Sequence, residues 1–221
     1  MGIREEANVC TRLRKQSSMI AIIDYGAGNI RSIAKALELV GAQVQVTDDP
    51  ATVAAANAVV LPGVGSGGAA MARMTERGLD DAIREATLQG KPFLGICLGM
   101  QLLADHHEEG QVDGLGLFRG TVRRIPHGPK IPHMGWNQVR PLYNNLAMFA
   151  GVEPDSYFYF AHSYYVEPTD QQGVAALTDY GSPYCSVIVT EQVWGTQFHP
   201  EKSGAIGLQL LKNFINRVKN A

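Results

Sequence analysis

A cysteine flanked by glycines, Gly95-Ile96-Cys97-Leu98-Gly99, ends the apolar run Lys91-Pro92-Phe93-Leu94 and leads straight into Met100-Gln101-Leu102-Leu103. The pattern predicts a buried strand that turns abruptly into a helix with Cys97 at the turn, the arrangement that lifts a nucleophile above a sheet. Gly95 and Gly99 permit the sharp turn and a close approach of neighbouring segments. A helix opening at Leu98 aims unpaired N–H groups and partial positive charge at the sulfur, favouring thiolate over thiol. The competing reading is a buried, inert cysteine. Strand, glycines and helix together favour the reactive one.

A cysteine nucleophile needs a base, and the base needs an orienting acceptor. His199-Pro200-Glu201 offers both. In an extended segment His199 and Glu201 project to the same side, and Pro200 keeps His199 out of the helical region. Glu201 then accepts from one imidazole nitrogen and leaves the other for Cys97. The bland reading is a surface turn, but a strand entering this turn brings His199 to the sheet edge that carries Cys97. His106 and His107, beside Asp105, Glu108 and Glu109, read as a solvated end of the helix after the elbow. His133 and His162 sit in aromatic or glycine-containing segments and are expected to position rather than to catalyse. No spacing among the histidines suggests a metal site.

Acyl transfer also needs an oxyanion hole. The Leu98 N–H is one donor, and a peptide of the strand-end loop Pro62-Gly63-Val64-Gly65-Ser66-Gly67-Gly68 could supply the second. As a phosphate loop this segment fails, because the Lys-Ser/Thr ending is missing. Tyr25-Gly26-Ala27-Gly28-Asn29 fails as a dinucleotide fingerprint, since Ser32 stands where the third glycine is required.

The elements that position these groups alternate between short apolar runs and helical periods, the signature of a parallel sheet covered on both faces. Met19 to Asp24 reads as the first strand, and Ile30, Ile33, Ala34, Leu37 and Val40 mark a helix stopped by Gly41. Val44 and Val46 mark a second strand and Ala58 to Leu61 a third. Residues 69–89 read as helix in two pieces broken near Gly78. Beyond the elbow, Thr121 to Ile125, Tyr157 to Phe160, Val174 to Leu177, Ser186 to Val189 and Val193 to Phe198 are strand-like at hairpin spacing. These predict antiparallel additions to the parallel centre. Gly204 to Lys219 closes the pattern as an amphipathic helix.

With 221 residues, 45% hydrophobic and 18% charged, the composition is globular and most simply one domain. A formal net charge of -2 offers no attraction to nucleic acid. Cys10, Cys97 and Cys185 are too few and too scattered for a disulfide framework, which fits a reducing, cytoplasmic setting. No apolar run approaches the roughly 20 residues needed to span a bilayer. Residues 1–18 are charged and read as a flexible leader or an upstream start; the domain is expected over residues 19–221.

Together the motifs resemble the class I glutamine amidotransferases, whose triad runs Cys, His, Glu in chain order. The resemblance is carried by Asp24 to Asn29, Pro62 to Ser66, Gly95 to Gln101, Pro132-His133-Met134-Gly135-Trp136-Asn137 and Gln197 to Ser203. The first and fourth segments are similar to the glutaminase subunits of imidazole glycerol phosphate synthase, in histidine biosynthesis. One departure is Gly67-Gly68, where the family usually carries an aromatic after the serine. The resemblance implies an α/β fold of flavodoxin-like architecture, with a mostly parallel central sheet, flanking helices and antiparallel additions. It implies a triad of Cys97, His199 and Glu201, and oxyanion donors at Val64 and Leu98. Glutamine is then recognised by Gly65, Gln101, Glu109 and the backbone of His162, Ser163 and Tyr164.

The resemblance further implies a partner, a separate (β/α)₈ barrel cyclase that consumes the ammonia, with Trp136, Tyr159 and Lys202 as contact or gate residues. Such a barrel, about 250 residues, does not fit in this chain. Trp136 between Gly135 and Asn137 reads as an aromatic anchor in a loop, with ordinary packing as the alternative. No cofactor is implied. Other readings are the glutaminase subunit of another class I enzyme such as anthranilate synthase, a glutamine-binding module without turnover, and a cysteine peptidase or stress protein on a similar sheet.

Overall fold

The computed structural model describes residues 18–26, 28–126 and 130–221. The expected leader up to Ser17, Cys10 within it, and Ala27 of the first glycine motif lie outside the described residues.

Met19–Ile23 forms β1, Ile30–Leu39 α1, Gln43–Thr47 β2, Pro50–Ala55 α2 and Ala58–Gly63 β3. Gly67–Glu76 (α3) and Leu79–Leu88 (α4) are separated at Gly78, whose φ of 67° is left-handed. Phe93–Cys97 is β4 and Leu98–Gln101 is α5. Then come β5 (Ala104–His107), β6 (Val112–Asp113), β7 (Phe118–Arg124), β8 (His133–Gln138) and β9 (Arg140–Pro141). They are followed by β10 (Tyr157–His162), β11 (Tyr164–Pro168), β12 (Val174–Asp179), β13 (Pro183–Val189), β14 (Val193–Thr196) and α6 (Gly204–Asn220).

The main sheet runs β2-β1-β3-β4-β14-β13-β11-β7-β5-β6. Its first five strands are mutually parallel, the doubly wound order in which ligands gather at the carboxyl ends of the strands. Pairing then turns antiparallel through β13, β11 and β7, with β12 and β9 branching from β13. β8 and β10 form a separate antiparallel ribbon. The mixed sheet flanked by helices is the architecture expected from the sequence.

Period-two alternation in the central strands feeds two cores. Ile20, Ile22, Ala58, Val60, Leu94 and Ile96 face α1 and α6. Val59, Leu61 and Phe93 face α2, α3 and α4 on the other side. Among the described residues no helix is long and apolar enough to cross a membrane.

Three local expectations are corrected. α5 is only one turn long, because Leu102 and Leu103 already turn toward β5. His106 and His107 therefore lie in a strand, not on a solvated helix end, and His107 is buried. The Pro132 to Asn137 segment is largely strand β8 rather than loop, since its backbone pairs with β10 from His133↔His162 to Gln138↔Tyr157. α2 was not anticipated from apolar spacing; Asp49 caps it by accepting from the N–H groups of Ala51 and Thr52, with Pro50 in its first turn.

Candidate active site

Cys97 ends β4 with φ 54° and ψ −108°, a backbone conformation that side-chain-bearing residues avoid. Crowding enforces it. A Cβ on Gly99 would sit 1.8 Å from the Leu61 carbonyl oxygen, and one on Gly95 would sit 2.7 Å from the Gly99 carbonyl oxygen. The elbow can thus nest against β3, where Gly63 is the register partner of Cys97. The single turn of α5 has too few aligned peptides to develop a full macrodipole, so electrostatic support for the sulfur rests on side chains.

β14 runs parallel to β4, pairing Thr196 with Ile96, and the chain then delivers Gln197, Phe198 and His199 to the same edge. His199 is extended (φ −98°, ψ 97°), whereas Pro200–Lys202 is a 3₁₀ turn, so Glu201 reaches it by a tight turn and not by strand alternation. The His199 Nδ1–H donates to Glu201 Oε1 at 2.8 Å, with the two side chains 2% and 1% exposed. Burial alone would lower the His199 pKa, but the influence of neighbouring Cys97 and Glu201 outweighs it and raises the value to about 9. Asn29, left-handed at φ 74°, donates from Nδ2 to Glu201 Oε1 at 2.6 Å. Sequence reasoning used Asn29 only as part of a motif, because its partner is 172 residues away.

A cavity of about 240 Å³ opens on the sulfur. Its walls hold the expected oxyanion pair Val64 and Leu98, together with Gly65, Gln101, Glu109 and the run His162, Ser163 and Tyr164. Glu109 Oε2 accepts from the Gly67 N–H at 2.9 Å, tying the glycine loop down. The Gly67-Gly68 departure also has a physical basis, since a Cβ at Gly67 would lie 2.5 Å from the His107 ring. His107 occupies the space where a larger residue would go.

His133 and His162 both reach the Tyr184 hydroxyl at 3.1 Å. His162 Nδ1 donates to the Tyr164 carbonyl at 2.8 Å, so its Nε2 accepts from Tyr184. Burial lowers His133 to about 4 and His162 to about 3, keeping both neutral. Cys185 is buried and its thiol is pushed up to about 12 by desolvation. At the rim Trp136 is 55% exposed and packs edge-on to Tyr159, over which Lys202 Nζ lies 5.9 Å from the ring centroid. The Tyr159 carbonyl accepts from the His199 N–H at 2.9 Å, so this cluster adjoins His199.

Comparison with known proteins agrees with this geometry. The family model "Glutamine amidotransferase class-I" matches residues 21–218. The chain is 51% identical to imidazole glycerol phosphate synthase subunit HisH of Moorella thermoacetica over 203 residues, 91% of this chain and 96% of that protein. It is 50% identical to the subunit of the same name from Methanothermobacter thermautotrophicus over 202 residues, 91% of this chain and 100% of that one. A crystal structure of a glutamine amidotransferase superposes with a TM-score of 0.71 at 17% identity, covering 91% of this chain and 99% of the other, which shows the shared fold. These relatives favour the imidazole glycerol phosphate branch over the anthranilate alternative. The chain belongs to the class I glutamine amidotransferases, in the branch formed by the HisH subunits of imidazole glycerol phosphate synthase.

Proposed function

We propose that this chain hydrolyses glutamine to glutamate and ammonia and hands the ammonia to a separate cyclase subunit, which makes imidazole glycerol phosphate and aminoimidazole carboxamide ribotide. The observation that carries the reading is the buried His199–Glu201 pair, 2.8 Å apart and delivered by β14 to the sheet edge where β4 ends in Cys97. Cys97 attacks the side-chain amide carbon of glutamine, and backbone N–H groups of Val64 and Leu98 hold the oxyanion. His199 gives its proton to the departing ammonia, leaving a γ-glutamyl thioester. His199 then takes a proton from water, which attacks the thioester and releases glutamate. Glu201 keeps the imidazole oriented throughout.

Substrate recognition by Gly65, Gln101, Glu109 and the backbone of His162, Ser163 and Tyr164 is supported by their sharing one cavity with Cys97. A cyclase contact through Trp136, Tyr159 and Lys202 is supported by the exposed Trp136 and its neighbour Met134, 65% exposed. The isolated chain has little glutaminase activity until the ligand-bound cyclase orients the Val64 peptide. A cytoplasmic setting suits the free thiols of Cys97 and Cys185.

The test is a glutaminase assay with and without the cyclase and its nucleotide ligand. The wild type should be activated by the loaded partner, Cys97→Ala should lose at least about 10⁴-fold, and Cys185→Ala should stay active. Turnover surviving in Cys97→Ala would remove the nucleophile from this scheme.

A further inference from the structure

The buried amides beside the sulfur have only one consistent orientation. The Tyr164 carbonyl oxygen can only accept, so Gln101 must present its Nε2 to it, at 2.7 Å. The Glu109 N–H can only donate, and it does so to His107 Nδ1 at 3.1 Å. The neutral His107 ring therefore carries its proton on Nε2, which faces Gln101 Oε1 at 3.4 Å. With both ends fixed, the second Gln101 N–H goes to Gln197 Oε1 at 3.0 Å. This leaves the Gln197 Nε2–H aimed at Cys97 Sγ, 3.8 Å away, a separation that sulfur's large radius allows. Gln197 is fully buried. The Ala161 carbonyl oxygen, also 3.8 Å from the sulfur, is an acceptor and serves the thiol rather than the thiolate.

We infer that Gln197 is a second donor to the nucleophile, holding the Cys97 sulfur with its side-chain N–H whenever that sulfur carries negative charge. This rests on the reading of Cys97 as nucleophile. A bond to a charged acceptor is stronger than one to a neutral acceptor, so the contact favours the thiolate over the thioester sulfur. In deacylation the carbon–sulfur bond breaks, its electron pair returns to Sγ, and Gln197 supports that charge without transferring its proton. The chain from Glu109 through His107 and Gln101 makes the donor depend on residues that line the glutamine cavity.

Gln197→Glu keeps the volume and the acceptor for Gln101 but replaces the N–H facing sulfur with an oxygen. Gln197→Met removes the donor without adding charge. Each full-length variant, with the loaded cyclase, is compared with wild type for iodoacetamide labelling of Cys97 across pH and for glutaminase kcat and KM. Labelling at neutral pH and kcat should fall about tenfold in Gln197→Glu, with KM within about twofold, and the labelling profile should move to higher pH. The loss in Gln197→Met should be smaller but in the same direction. Wild-type labelling in both variants would overturn the inference, whereas a wild type no more active than Cys97→Ala would overturn the nucleophile reading. If neither variant folds, the Gln197 side-chain amide proton is followed by NMR in wild type. Its resonance should move as Cys97 deprotonates and stay fixed in Cys97→Ala; no movement in wild type would also overturn the inference.

Discussion

Two donors converge on one oxygen of Glu201, His199 Nδ1 and Asn29 Nδ2, while Oε2 is buried without a partner among the described residues. The carboxylate is thus held from two ends of the chain and can hold the imidazole in turn. Glu201→Gln keeps the shape but loses the charge that stabilises the imidazolium, and kcat should fall about 10²–10⁴-fold. Asn29→Gly preserves the left-handed backbone and removes one charge-assisted bond, for which a loss of about tenfold in kcat is expected. Steady-state kinetics checks both, and unchanged rates in either would remove that residue from the acid–base machinery. Cys97, His199 and Glu201 could be proposed as a triad from sequence because each announces itself within a few neighbours. Asn29 and Gln197 could not, because their meaning lies in contacts 172 and 100 residues distant. His107 was misread because its acidic neighbours suggested solvent, whereas strand pairing turned its ring inward.

The elbow is a packing solution as much as a catalytic one. A side chain at Gly99 meets the backbone of β3 at a distance no repacking can absorb, so Gly99→Ala should cost more than the ~1–3 kcal/mol of ordinary overpacking. Denaturant unfolding is the check, and a near-neutral result would show that the strand and turn are looser than their geometry. β1, β3 and β4 were legible because strands covered on both faces must be apolar throughout. β5, β6 and β9 were not, being two to four residues long with polar sequences. β8 escaped for another reason: Gly135, at φ 136°, interrupts its pattern, and Met134, Trp136 and Gln138 face away from the core. That outward side is where Trp136→Ala should weaken cyclase binding by at least about 30-fold in a titration, the behaviour of an aromatic anchor. An affinity unchanged by the substitution would reduce Trp136 to local packing against Tyr159.

Across the whole molecule, buried imidazoles set the dependence of stability on pH. His133 and His162 stay neutral when folded, at about 4 and about 3 against an ordinary 6.5, and burial lowers His107 as well. The unfolded chain therefore binds more protons below about 6.5, and stability falls as pH drops from there toward the folded values. His199 acts in the opposite sense. Raised to about 9, it contributes stability that is fully present below 6.5 and is lost as pH rises through about 9. Urea midpoints should decline on both sides of neutrality, and His162→Asn should flatten the acid limb; a flat profile from pH 4 to 7 would contradict the buried neutral rings. The fold class was legible from alternation alone, but not the separate β8–β10 ribbon, because which strands pair is decided by distant neighbours. One consequence reaches back to the ribosome. Because β14 slots between β4 and β13 and only then supplies the base, a nascent chain carries its thiol long before the imidazole that would make it useful. Until His199 has emerged, the nascent chain lacks the imidazole on which the proposed cleavage of glutamine depends.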